Sequence, residues 1–114
     1  MSSGIVTQTV RAAMCTALAL GLSTGIAHAQ GKTAVDNYLD KCSVCHGTDG
    51  AGKTAKGRKL KLPDVRQTSV KFTAEQMVET VTKGKAPDMD SFSKDFSADQ
   101  IKQIVDYYRS LAKK

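Results

Sequence analysis

Apolar residues recur at helical spacing in three parts of the chain. Val35, Tyr38, Leu39 and Cys42 occupy the i, i+3, i+4 and i+7 positions of one face. Thr33 followed by Asp36 marks a helix start, so a first helix is expected from Thr33, carrying Cys42 and Cys45 at its C-terminal end. Thr73 and Gln76 form a T-x-x-Q capping pattern ahead of Met77, Val78 and Val81, which predicts a second helix ending at Lys83 and Gly84. Ser97 and Gln100 repeat the pattern before Ile101, Ile104, Val105, Tyr108 and Leu111, predicting a third helix that runs into a basic tail at Lys114. The segments between read as irregular. Three glycines within residues 47–52 mark a tight turn, and Pro87 keeps residues 86–92 out of a helix. Residues 53–66 are basic and loop-like, with Gly57 and Pro63 as breakers and Leu60 and Leu62 facing inward. No strand alternation or internal repeat interrupts this pattern, so the expected fold class is all-α.

The N-terminal stretch follows a different rule. Residues 12–26 form an apolar run of small and aliphatic side chains, with Arg11 before it and the small-x-small triplet Ala27-His28-Ala29 after it. That is the pattern of a secretory signal, predicted here to cover residues 1–29 and to leave 30–114 as one domain exported to the periplasm. The run is short for a spanning helix, so no stable membrane insertion is expected after cleavage; an uncleaved anchor is the alternative. Cys15 lies at the front of the run, which argues against a lipoprotein cleavage site. Removal of the signal also takes His28, making His46 the only histidine, and Arg11, lowering the formal charge from +6 to +5. The lysines are spread along the chain without interleaved aromatic residues, so nucleic acid is not an expected partner. The basic surface fits either steering toward an acidic protein or plain solvation. A chain of 114 residues with 5% aromatic content and no tryptophan buries a small core, and something besides side chains could complete it.

The candidate for that role comes from Cys42-Ser43-Val44-Cys45-His46. Two thiols three residues apart, with an imidazole directly after the second, form the C-x-x-C-H attachment signature of a c-type haem. On one helical turn the two sulfurs reach the two vinyl groups of one porphyrin, and His46 serves as proximal iron ligand. A zinc half-site would need a second ligand pair, and the only other cysteine and histidine, Cys15 and His28, lie upstream. A thioredoxin-like redox pair needs a βαβ context, and a plain disulfide leaves His46 without a role. Opposite His46 the candidates are a methionine sulfur, a lysine amine, water or nothing; with Met1 and Met14 in the signal, Met77 and Met89 remain as the methionines. Met77 falls on an apolar helix face, where methionine is ordinarily core filler. Met89 sits in an irregular loop between Pro87 and Phe92, flanked by two aspartates, and is the preferred ligand. Histidine and thioether together raise the potential and leave no site for oxygen or peroxide, so such an iron exchanges electrons. Arg58, Lys59 and Lys61 are candidates for holding the haem propionates, set against ordinary surface positions.

The run CSVCHGTDGAG, a helix before the KGKAPDM loop and an amphipathic helix ending YYRSLAKK together resemble the small class I c-type cytochromes, which are monohaem, soluble and periplasmic. The resemblance covers residues 30–114. It implies an all-α fold of three to four helices around one haem c, with the first and last helices crossing and one haem edge exposed. Carried over, Cys42 and Cys45 match the thioether cysteines, His46 the proximal ligand and Met89 the distal one. Tyr38 and Tyr108 match the aromatic contact of the crossing helices, with Tyr107 as the fallback. The chain has Asp90 where the commoner pattern has a proline after the methionine. The expected function is that of a monomeric one-electron carrier, not an enzyme, between respiratory or dehydrogenase partners with acidic docking surfaces. Lys53, Lys56, Lys59 and Lys85 are candidates for docking. The alternatives are a sensor or peroxidase-like protein with an open sixth position, and a dedicated electron-entry subunit of a dehydrogenase.

Overall fold

Three side chain–backbone exchanges open the three predicted helices. Thr33 Oγ1 accepts from the backbone N–H of Asp36 at 3.2 Å while the Asp36 carboxylate accepts from the Thr33 N–H at 3.0 Å, and helix α1 follows over Ala34–Lys41. Thr73 with Gln76 and Ser97 with Gln100 make the same reciprocal pair ahead of α5 (Ala74–Lys83) and α6 (Ala98–Ser110). Each cap satisfies amide groups that would otherwise lack partners, and its removal costs about 1 kcal/mol. The computed structural model describes residues 31–114; the predicted signal, with Met1, Arg11, Met14, Cys15 and His28, lies outside the described residues.

Between these helices the chain is more helical than its pattern announces. α2 (Ser43–His46) continues α1 after a break at Cys42, and α3 (Ala55–Lys59) and α4 (Val65–Lys71) lie where a loop was expected. A 3₁₀ turn over Leu111–Lys113 ends the chain. The expectation of three to four helices is thus corrected to six α-helical segments among the described residues, all-α as expected. The only pairing of extended backbone among the described residues is one isolated antiparallel bridge, Lys85 to Met89. The break at Cys42 has a local cause. The Ser43 hydroxyl donates to the Leu39 carbonyl at 2.6 Å, a back-bond that bends helices.

α6 is the hub: α1, α5 and α4 all pack on it, and the 3₁₀ turn lies against α4. Tyr38, Val65, Ile104 and Leu111 form the buried cluster at this junction, with Ile101 and Val105 buried alongside. Complete burial of side chains of this kind contributes on the order of 1.5–3 kcal/mol each. The Tyr38 ring meets Tyr107 edge-on at 5.3 Å and Tyr108 at 6.0 Å, so both neighbours share the aromatic contact expected of Tyr108. The predicted apolar face of α1 is narrower than its spacing implies. Val35 and Leu39 are 40% and 41% exposed, and Asn37 is buried in their place. α1 meets α6 through Tyr38, and a helix of eight residues covers little more than the stripe beneath that ring. None of the described helices is long and apolar enough to cross a membrane.

Candidate functional site

The segment that carries both cysteines and His46 is held by backbone contacts. The Tyr38 hydroxyl, buried, donates to the Gly47 carbonyl at 2.7 Å, and the Gly52 N–H donates to the His46 carbonyl at 2.8 Å. On the other side Thr54 Oγ1 donates to the Cys45 carbonyl at 2.9 Å and accepts from the Gly57 N–H at 2.9 Å, so one hydroxyl both caps α3 and ties it to α2. Gly57 permits this approach, because a Cβ there would overlap the carbonyl oxygens of Gly52 and Cys45. In the sequence Gly57 reads as a breaker; in the fold its role is to let two backbones touch. The signal for it is Thr54 at the cap position three residues earlier.

Cys42, Cys45 and His46 open onto a cavity of about 530 Å³. Its volume falls within the range of cofactor sites. Leu60 and Leu62 line it, as their inward reading requires, and Ile104, Val105 and Tyr108 of α6 form another wall. Met77 and Val81 of α5 line it as well, together with Met89 and Phe92 from the loop that follows. All four predicted haem-binding residues therefore face one space, and Met77 faces it too.

The electrostatics of this space favour neutral groups. Burial, with the neighbouring Cys45 second, pushes the Cys42 thiol up to about 11. Burial also holds the His46 imidazole below its ordinary pKa, so the ring is neutral at neutral pH. Its Nδ1 is buried without a hydrogen-bond partner, and the ring stands edge-on to Tyr108 at 5.4 Å. A neutral imidazole with an unpaired buried nitrogen is suited to metal ligation. Both cysteines are free. Among the described residues no group of three or more His, Cys, Asp or Glu side chains gathers to hold a metal ion, which leaves a zinc half-site without further ligands there. Two thiols, one imidazole and two thioethers around an apolar cavity fit a covalently attached iron porphyrin.

Met89 is held by its backbone. Its N–H donates to the Lys85 carbonyl at 2.9 Å and its carbonyl accepts from the Lys85 N–H at 2.8 Å. The loop is pinned to α5 by the Phe92 N–H donating to Val81 at 3.0 Å and the Ser91 hydroxyl donating to Thr82 at 2.6 Å. Gly84 closes α5 at φ +76° with the loop directly over it, a close approach the sequence marks only as a helix end. Phe92 lines the cavity and stacks on Phe96 at 6.1 Å; Pro87 is exposed and does not line it.

The basic candidates divide. Lys61 borders the cavity, whereas Lys59 does not, and Arg58 turns away to donate to the Lys53 carbonyl at 2.5 Å. Lys56 and Lys85 border the cavity together with Lys41, which sequence reasoning passed over, while Lys53 and Lys59 lie off it.

Comparison with known proteins identifies the family and the fold. The family model described as cytochrome C oxidase, cbb3-type, subunit III matches residues 29–107. Among solved structures, the KustC0563 c-type cytochrome superposes with a TM-score of 0.65 at 24% identity, over 70% of this chain and 98% of its own. That likeness speaks for the fold. No curated protein matches the chain.

Proposed function

The chain belongs to the cbb3-type cytochrome c oxidase subunit III family and is a small c-type cytochrome, a haem-containing electron-transfer protein; from that premise we propose that it is a periplasmic one-electron carrier whose iron is held by His46 and Met89. The observation that carries the reading is the convergence of Cys42, Cys45, His46 and Met89 on one apolar cavity. When bound, haem c supplies an iron that takes up and gives back one electron.

The chain's own residues determine what that iron can do. Cys42 and Cys45 fix the porphyrin through two thioether bonds, and His46 offers its neutral ring from a segment locked by Tyr38 and Thr54. Met89 supplies a neutral thioether, which favours the reduced state, from a loop its backbone hydrogen bonds hold in place. Ile104, Val105 and Phe92 give the cavity apolar lining, which would limit the water around a bound haem and so the solvent reorganisation that accompanies electron transfer. Lys41, Lys56, Lys61 and Lys85 at the cavity border, against Asp88 and Asp90, give the mouth an excess of positive charge for brief docking with acidic redox partners. Export as a monomer after cleavage at Ala29 completes the reading.

The test is the optical spectrum of the exported, oxidised protein. A weak long-wavelength band from thioether sulfur on ferric iron is expected, and Met89→Ala should remove it. A band that survives in Met89→Ala, or is absent from the parent protein, overturns the assignment. Membership in a family named for an oxidase subunit favours one second reading, a haem module committed to a single larger complex. Co-purification of a stable assembly would support that reading over the free carrier.

A further inference from the structure

Two thioethers border the cavity, Met89 from the loop and Met77 from α5. Both are soft, neutral ligands on flexible three-bond stems, so their chemistry does not decide which one meets iron. Their neighbours differ. Met77 is buried, and its Sδ lies 4.0 Å from Nη1 of Arg109 on α6. The same Nη1 donates to the Phe72 carbonyl at 3.1 Å, at the junction of α4 and α5, which anchors the guanidinium against drift. A thioether sulfur that already accepts from a cationic N–H is a weaker donor to a second cation.

We propose that Arg109 is a positioning residue that selects the axial ligand: by holding the Met77 sulfur against its guanidinium it keeps that thioether from iron and leaves the sixth position to Met89. The inference rests on the reading of Met89 as ligand. Arg109 acts through Met77 and touches neither the cysteines nor His46 in this role. Substitution of Arg109 frees a second thioether that already faces the cavity. The site then holds two competing ligands.

The experiment uses the haem-loaded full chain, read by the ferric long-wavelength band and by NMR of ¹³C-methyl methionine in the reduced state, where ring current shifts the methyl of an iron-bound methionine. Met89→Ala should lose the band, and Met89→Ala with Arg109→Leu should regain it through Met77. Adding Met77→Leu to that pair should remove it again. Arg109→Leu alone should show a second shifted methyl beside that of Met89, a readout independent of the stability of the double variant. Failure of the band to return in a folded double variant overturns the proposal, as does a single shifted methyl in folded Arg109→Leu. Met77→Leu alone separates the two claims. If it abolishes the band, the assignment of Met89 falls and this inference falls with it; if it keeps the band while the double variant stays dark, only the role of Arg109 falls.

Discussion

Gly84→Ala perturbs the site without touching a ligand. Gly84 has φ +76° and ψ 177°, a region essentially reserved for glycine. A Cβ built there lies 2.7 Å from the Met89 carbonyl oxygen, 2.7 Å from the Ser91 nitrogen and 2.8 Å from the Asp90 carbonyl carbon. All three are backbone atoms, so no side chain can swing aside and the loop itself must shift. Residence of a non-glycine residue in such a region costs on the order of 1–3 kcal/mol. The shift also stretches the reciprocal Lys85–Met89 hydrogen bonds, at about 0.5–1.5 kcal/mol for each one weakened. A destabilisation of roughly 2–6 kcal/mol follows from the two effects. With a urea slope of about 1 kcal/mol/M for a domain of this size, the unfolding midpoint should fall by about 2 M or more. The assay is urea unfolding of the haem-loaded protein followed by far-ultraviolet circular dichroism, with the long-wavelength band recorded on the same samples. Gly31→Ala is the control, since a Cβ there meets nothing within 4 Å, and its effect should stay within about 0.5 kcal/mol. A Gly84→Ala midpoint indistinguishable from that of the control would falsify the close packing of loop on helix end.

Tyr38→Phe removes the buried hydroxyl that donates to Gly47; because that carbonyl also accepts from the Gly50 N–H at 3.2 Å, the loss should stay near about 1 kcal/mol in urea unfolding, and a loss above about 3 kcal/mol would contradict it. Burial, then the nearby Tyr108, raises the Tyr38 phenol above its ordinary value of about 10, so its contribution is complete below that pH and is lost as pH rises beyond it. Stability should therefore decline in alkali above about pH 10, less steeply in Tyr38→Phe, and equal slopes for the two proteins would refute the assignment. Gly57→Ala places a methyl on the carbonyl oxygens of Gly52 and Cys45, and thermal unfolding should show a loss of at least about 2 kcal/mol; an unchanged midpoint would mean that α3 does not press on α2. Electron-transfer rates with an acidic protein partner should fall as ionic strength rises, and a flat response would remove charge steering from the proposed function.

The parts of the fold legible in the sequence are those whose cause is local. Thr33, Thr73 and Ser97 form their caps within four residues, and α1, α5 and α6 begin where those residues stand. The haem-binding segment is equally local, because five consecutive residues carry both thiols and the imidazole. α3 and α4 are hidden for the opposite reason. α3 is five residues long with a glycine at its centre, and it is stabilised by contact with Gly52 and Cys45 that no short window contains. α4 buries Val65 yet leaves Val70 91% exposed, so it shows no amphipathic period. Val35 and Leu39 mislead in the other direction, since correct helical spacing says nothing about whether a neighbour arrives to cover them. Met77 was legible as an apolar helix residue and is buried, but its place on the cavity and its contact with Arg109, 32 residues away, appear only once α5 lies on α6. Arg58 follows the same rule, drawn to the Lys53 carbonyl by a turn of backbone its charge does not encode.

The most direct measurement is exposure of the reduced, haem-loaded protein to carbon monoxide, followed in its visible spectrum. With His46 and Met89 on the two sides of the iron, the expected result is a low-spin spectrum that carbon monoxide leaves unchanged at neutral pH. Ready formation of the carbon monoxide complex, or a high-spin spectrum before the gas is added, would mean an open sixth position and contradict the electron-carrier reading.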